Sequence, residues 1–99
     1  STPFVPAGSA HTYQSYCVRL NTARPRAEIM DEMAAAGIAT RRGVMAIHLE
    51  PYYRAQFPQL SLPETESASA ETLLLPLFAD MTDDEQDVVV ASLRTALRA

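Results

Sequence analysis

The chain has 99 residues, 47% of them hydrophobic, and a formal net charge of −4 with a pI near 5.0. A chain of this length forms one small domain or a piece of a larger protein. The acidic balance argues against nucleic-acid binding, which depends on a basic surface. No stretch approaches the ~18 apolar residues that a membrane helix needs, and residues 1–3 resemble neither a signal nor a transit peptide.

The residue types that are missing restrict the chemistry further. Cys17 is the single cysteine, so we expect no internal disulfide and a buried thiol in a reducing cytoplasm. All eight basic side chains are arginine, and without lysine no side chain can form a Schiff base with a carbonyl group. His11 and His48 lack metal-ligand spacing, and no nucleophile elbow or phosphate-binding glycine loop is present. We therefore expect neither a catalytic residue nor a metal site in this chain.

The first twenty residues predict a linker followed by a strand. Residues 1–10 contain two prolines, a glycine and several small side chains, which is typical of a linker. Thr12 to Leu20 alternates as a strand does, with Tyr16, Val18 and Leu20 on one face.

A helix and a second short strand are predicted next. Pro25 is tolerated in the first turn of a helix, and apolar residues then recur at helical spacing. Gly37 supplies the left-handed conformation that ends the helix, and Ile38 packs back against it. Residues 38–40 are long enough for a short strand, followed by a strand and loop over 41–50.

The second half predicts two further helices with a strand between them. Residues 51–58 have room for one helical turn. Ser61 and Glu64 have the spacing of a capping box, so an exposed helix is expected over 63–72. A buried strand is expected in the apolar run 73–78, ending at Pro76, and Thr82 with Glu85 repeats the capping box before a final helix. The predicted fold is a small α/β (α+β) domain, with a short sheet of about three strands packed with three helices.

Chemically distinctive side chains concentrate between Gly37 and Tyr53. The guanidinium groups of Arg41 and Arg42 suit phosphate or carboxylate. Neighbouring strand residues point to opposite faces, so both would line one pocket only if the backbone turns there, which Gly43 permits. The alternative is that they are surface arginines that pair with Glu50 or face solvent.

Two further side chains in the same stretch are open to a functional or a structural interpretation. His48 lies among apolar residues, either as a hydrogen-bonded core histidine or as a ligand contact. Tyr53 either stacks on a ligand ring or packs under the sheet. The candidate substrate-binding residues are thus Arg41, Arg42, His48 and Tyr53.

Five segments follow one another in a characteristic order: His11-Thr12-Tyr13 with Arg19-Leu20, Gly37-Ile38-Ala39-Thr40, His48 with Tyr52-Tyr53-Arg54, the run 57–66, and the run 74–82. This order and spacing resemble the C-terminal part of the DegT/StrS-type sugar aminotransferases, pyridoxal-phosphate (PLP) enzymes with the aspartate-aminotransferase fold. The latter half is most similar to members that aminate a 4-keto pentose attached to a uridine nucleotide.

The resemblance implies a two-domain protomer that works as a dimer. Its large N-terminal domain would hold PLP and the Schiff-base lysine, and its small C-terminal domain would close over the active site. On this basis residues 1–10 are a linker from an absent large domain, residues 11–99 are the small domain, and the chain alone is inactive. The implied partners are the chain's own large domain, a second protomer, a nucleotide-linked keto sugar and glutamate as amino donor.

One departure leaves the substrate open. Many family members follow the Gly-Ile-x-Thr segment with a histidine and an aromatic residue, whereas Gly43 and Val44 stand at those places here. The alternatives to an enzyme domain are a free-standing small α/β module that binds a ligand or a protein without catalysis, and half of a domain-swapped dimer.

Overall fold

The computed structural model describes residues 1–98, which form a three-stranded sheet and four α-helices. The strands are β1 (Tyr16–Arg19), β2 (Arg41–Arg42) and β3 (Thr72–Leu75). The helices are α1 (Arg26–Ala35), α2 (Pro51–Gln56), α3 (Pro63–Glu71) and α4 (Asp83–Arg98), and a 3₁₀ turn (Ile47–Leu49) precedes α2. β3 is central and antiparallel to both neighbours. The predicted α/β class and three-stranded sheet are confirmed, with α2 as the fourth helix where one helical turn was expected.

The hydrophobic core lies on one face of this sheet. Val18 is opposite Leu73 in the register, and paired residues of neighbouring strands share a face. α1 and α4 pack together against that face and contribute Ile29, Met33 and Val89. The predicted alternation in β1 is confirmed, because Val18 and Leu20 are buried and Tyr16 packs against the core.

Two strand positions differ from the prediction. β1 begins at Tyr16 rather than Thr12, because Tyr13 has a φ of 49° and leaves the extended conformation. The short strand expected over residues 38–40 does not form, and β2 is Arg41–Arg42, at the start of the strand and loop expected over 41–50. Ile38 is instead used to end α1: its N–H donates to the Met33 carbonyl at 2.9 Å, and Gly37 has a φ of 80°. This is the Schellman arrangement, so the predicted end of α1 is confirmed.

The starts of α3 and α4 form in different ways. At α4 the capping box is confirmed: the Glu85 N–H donates to Thr82 Oγ1 at 3.2 Å, and the Thr82 N–H donates to Glu85 Oε2 at 2.8 Å. At α3 the box predicted for Ser61 is wrong, because Leu62 is the N-cap residue. Its N–H donates to Oε1 of Glu66 at 3.0 Å, one turn into the helix.

The described part of the chain is flat and open. Its Cα radius of gyration is 15.5 Å, against about 13 Å for a compact domain of this length, and its thinnest dimension is 22 Å. At the N-terminus, Ser1 exchanges two backbone hydrogen bonds with Arg19, at 2.6 and 2.9 Å. The helices described for residues 1–98 include none that is both long and apolar enough to cross a membrane.

Candidate functional site

The segment that carries most candidate residues leaves the sheet at Gly43, beside Thr72. The Gly43 N–H donates to the Thr72 carbonyl at 3.2 Å, and the Val44 N–H donates to Thr72 Oγ1 at 2.8 Å. The hydroxyl of Thr72 in turn donates to the Ala68 carbonyl at 2.6 Å. A Cβ atom at Gly43 would overlap Thr72 Oγ1 and lie 2.9 Å from the Cys17 sulfur. Glycine is therefore required here by the close approach of two strands.

His48 is buried and hydrogen-bonded to Glu66. Its Nε2 lies 2.9 Å from Oε1 of Glu66, and the same oxygen accepts the Leu62 N–H at 3.0 Å. The hydrogen bond from His48, followed by that from the Leu62 N–H, lowers the pKa of Glu66 below its usual 4.5. An ionised carboxylate only accepts hydrogen bonds, so Nε2 of His48 carries the proton. This bond joins the 3₁₀ turn to the first turn of α3.

His48 and Tyr53 line the same surface groove. The groove has a volume of about 380 Å³, and most of its other lining is apolar: Met45, Ile47, Phe57, Leu60 and Leu62. Tyr52 is not among the lining residues; its ring meets that of Tyr53 edge to face, with centroids 5.2 Å apart. The structure therefore brings together two of the four candidate residues, in an apolar setting.

Arg41 and Arg42 lie on opposite faces of the sheet. Arg41 is opposite Leu74 and Arg42 is opposite Leu73, which is part of the core face. Pairing with β3 continues through both arginines, and the chain leaves the sheet only at Gly43. The backbone does not turn between them, so the two guanidinium groups lie on opposite faces, as alternation along a strand predicts.

Each arginine lines its own cleft. The Arg41 cleft includes Gln14, Ser15 and Thr40. The Arg42 cleft includes Arg26 and Asp31. Within residues 1–98, neither Arg41 nor Arg42 has a carboxylate oxygen within 4 Å, so pairing with Glu50 is not observed.

Arg26 is a structural residue in the Arg42 cleft. Its guanidinium donates to the Ser69 carbonyl and, at 3.2 Å, to the Thr72 carbonyl, both near the C-terminus of α3. Burial, and secondarily the charge of Arg42, lower the pKa of Arg26. Sequence reasoning missed both Arg26 and Glu66, because the Ser69 carbonyl and the His48 ring that they bind are 18 or more residues away from them in sequence.

The described residues form no metal-ligand cluster, and their two histidines are hydrogen-bonded within the chain. Among residues 1–98, no group of three or more His, Cys, Asp or Glu side chains is placed to hold a metal ion. Cys17 is half-buried beside Gly43, and both histidines are engaged: His48 with Glu66, and His11 through Nδ1, which accepts the Tyr13 N–H at 2.8 Å. What the geometry offers is binding surface: one apolar groove with a histidine and a tyrosine, and one cleft with an arginine and neutral donors.

Residues 2–94 match the model of the DegT/DnrJ/EryC1/StrS aminotransferase family. The chain belongs to this family, as the resemblance of its sequence segments predicted.

Three solved structures illustrate the similarity. The aminotransferase TlmJ from Streptoalloteichus hindustanus is 30% identical, with a TM-score of 0.81 over 97% of this chain and 25% of that one. A DegT DnrJ EryC1 StrS aminotransferase from Brucella abortus is 23% identical, with a TM-score of 0.76 over 99% of this chain and 26% of that one. NtdA from Bacillus subtilis, solved with bound cofactor PMP, is 27% identical, with a TM-score of 0.75 over 90% of this chain and 21% of that one. The chain thus spans about a quarter of the length of these relatives.

Proposed function

We propose that the chain is the small domain of a PLP-dependent aminotransferase that transfers an amino group to a nucleotide-linked keto sugar. The observation that carries this proposal is the likeness to TlmJ, which extends over 97% of the chain at a TM-score of 0.81. The family match over residues 2–94 supports the same reaction class. The free thiol of Cys17 fits the reducing cytoplasm as the compartment.

The cofactor's attachment point lies outside this chain. PLP, when bound, supplies an electron sink for transamination and needs a lysine amine. No lysine occurs among the 99 residues, so the chain alone does not fit the cofactor. We assign the lysine to a large domain joined to the chain through residues 1–10, and the active enzyme to a homodimer. Glutamate is the proposed amino donor.

The chain's own contribution is to bind and enclose the substrate. The groove of His48 and Tyr53 offers an apolar wall with a few polar atoms, which suits a ring and its hydroxyl groups. Arg41 and Arg42, the two candidate contacts for an anionic group, lie on opposite faces of the sheet, so one of them rather than both would meet the anionic group of the ligand. Rate enhancement would come from positioning the keto sugar and excluding water, since no group here is arranged for proton transfer.

The test is a transaminase assay on the full-length protein with PLP, glutamate and a uridine-diphosphate-linked 4-keto pentose. We expect 2-oxoglutarate to be released in proportion to the amino sugar formed. The 99-residue chain alone, at the same concentration, should give no turnover. Turnover by the isolated chain would contradict the proposal, as would a full-length protein that is inactive on a panel of nucleotide-linked keto sugars.

A protein-interaction module is a second candidate function, favoured by the exposed apolar surface between Val44 and Leu62. Nine large hydrophobic side chains there are at least 40% exposed. Contiguous apolar surface of this kind marks a contact with another protein surface. In the enzyme the large domain would cover the part of this surface that lies outside the substrate groove, whereas in a free-standing module the surface would self-associate. Light scattering of the 99-residue chain and of the full-length protein separates the two candidates. Self-association of the full-length protein through this surface is expected only if the chain is an interaction module.

A further inference from the structure

The Arg41 cleft is built from three parts of the chain that are distant in sequence. Gln14 and Ser15 line one side, Thr40 and Arg41 line the other, and residues 74–77 form the base. The cleft has a volume of about 390 Å³, within the range of small-molecule sites. It lies apart from the groove of His48 and Tyr53, with which it shares no residue.

The cleft carries a positive charge without any compensating acid. Its lining contains no Asp or Glu, and Arg41 has no carboxylate oxygen within 4 Å among residues 1–98. The described residues also provide no hydrogen bond to the side chains of Gln14, Ser15, Thr40 or Arg41. An amide, two hydroxyl groups and a guanidinium therefore have their donors unused in one concavity.

The neighbouring Arg42 cleft is less suited to an anion. It contains Asp31, whose negative charge opposes an anion. Its second arginine, Arg26, already donates to two backbone carbonyls. Two adjacent arginines of equal charge thus stand in clefts of different chemistry, and only that of Arg41 is free of acidic groups.

The backbone at Tyr13 shapes the side of the Arg41 cleft that comes from Gln14 and Ser15. Its φ of 49° is unfavourable for a bulky residue, and such strain persists only where surrounding contacts hold it. Here the Tyr13 N–H donates to His11 Nδ1, and the Tyr13 ring stacks on those of His11 and Tyr16, with centroids 4.3 and 6.1 Å away. The chain is bent before β1, and Gln14 and Ser15 line the cleft instead of extending the strand.

We propose that the Arg41 cleft is an oxyanion site, which binds a carboxylate or phosphate group of the ligand. The planar guanidinium of Arg41 can donate two parallel hydrogen bonds to such a group. Gln14, Ser15 and Thr40 supply neutral donors around it. The inference rests on the proposed function for the ligand's identity, and it makes Arg41 rather than Arg42 the anion contact. A carboxylate from the amino donor and a phosphate from the nucleotide share this chemistry.

Isothermal titration of the full-length protein, saturated with PLP, tests the site with two probes, glutarate and inorganic pyrophosphate. A charge-assisted bidentate contact predicts that Arg41→Ala weakens binding of at least one probe by about 10- to 100-fold. Arg42→Ala, the matched control, should change it by less than about twofold. The loss of binding in Arg41→Lys should lie between these two values, because lysine keeps the positive charge but cannot donate two parallel hydrogen bonds. Both arginines are exposed, so the variants should keep the wild-type melting temperature.

Each result decides the question. Loss of glutarate binding alone assigns the cleft to a carboxylate, and loss of pyrophosphate binding alone assigns it to a phosphate. Equal losses in Arg41→Ala and Arg42→Ala overturn the inference, as does the absence of saturable binding of both probes to the wild type. Because no turnover is measured, an inactive enzyme with an Arg41-dependent site would refute only the proposed function.

Discussion

Nε2 of His48 lies 2.9 Å from Oε1 of Glu66, and this bond fixes the 3₁₀ turn against the start of α3. The same carboxylate oxygen accepts the Leu62 N–H, so one side chain both caps a helix and holds a buried histidine. The groove between these elements, which also contains Tyr53, owes its shape to that pair. The two residues are 18 positions apart in sequence, so only the tertiary structure brings them together.

Glu66→Ala should lower the melting temperature, because it leaves the buried Nε2–H of His48 and the Leu62 N–H without their acceptor. Glu64→Ala is the matched control, since Glu64 is an exposed acid in the same helical turn. Its effect should be the smaller of the two. Thermal unfolding followed by circular dichroism measures both, and equal shifts would show that the His48–Glu66 bond does not stabilise the fold.

Acid should destabilise the fold through three glutamates. The pKa of Glu66 is lowered chiefly by His48, that of Glu71 by Arg19 and then Ser67, and that of Glu32 by Arg24. A carboxyl group whose pKa is lower when folded contributes stability that is fully present above its unfolded value, near 4.5, and is lost as pH falls through the folded value. The urea midpoint should therefore be flat above about pH 5.5 and fall below pH 4.5. A midpoint that rises or stays level between pH 4.5 and 3 contradicts this.

Thr72→Val should cost about 1–3 kcal/mol of folding free energy, because the Val44 N–H loses its acceptor where the chain leaves the sheet. Thr95→Val is the matched control. Its hydroxyl makes the same kind of bond, to the Ala91 carbonyl one turn back, but it is exposed on α4. That change should stay within about 0.5 kcal/mol. Urea unfolding of the two variants gives the comparison, and similar values would exclude a special contribution from Thr72.

Gly43→Ala should destabilise by about 1–3 kcal/mol, since the added methyl group would overlap Thr72. The clash predicts coupling between the two positions. The double variant Gly43→Ala with Thr72→Ala should be less destabilised than the sum of the single changes, by about 0.5–3 kcal/mol. A double-mutant cycle from urea midpoints measures this term. Strict additivity would mean that the methyl group finds room elsewhere.

Local signals predicted much of the fold, and contacts between distant segments account for the rest. The end of α1 at Gly37 and the start of α4 at Thr82 could be predicted, because the hydrogen-bond partners involved lie within a few residues of each other. The start of β1 was misplaced because the bend at Tyr13 depends on stacking with His11 and Tyr16. The separation of Arg41 from Arg42 follows from alternation along a strand, yet which cleft each would line depended on segments elsewhere in the chain.

Tyr53→Phe and Tyr52→Phe together test the proposed substrate groove in the full-length enzyme. The two tyrosines are adjacent, but Tyr53 lines the groove with His48, whereas Tyr52 is 71% exposed and does not. If the Tyr53 hydroxyl bonds the keto sugar, its loss should raise KM about two- to tenfold, the value of a neutral hydrogen bond. Tyr52→Phe should leave KM unchanged, and kcat should stay near wild type in both, because neither residue transfers a proton.

Steady-state kinetics with the keto sugar varied at saturating glutamate gives the values. A larger KM change for Tyr52 would move the substrate out of this groove, and a fall in kcat alone for Tyr53 would place its hydroxyl in the transition state rather than in substrate binding.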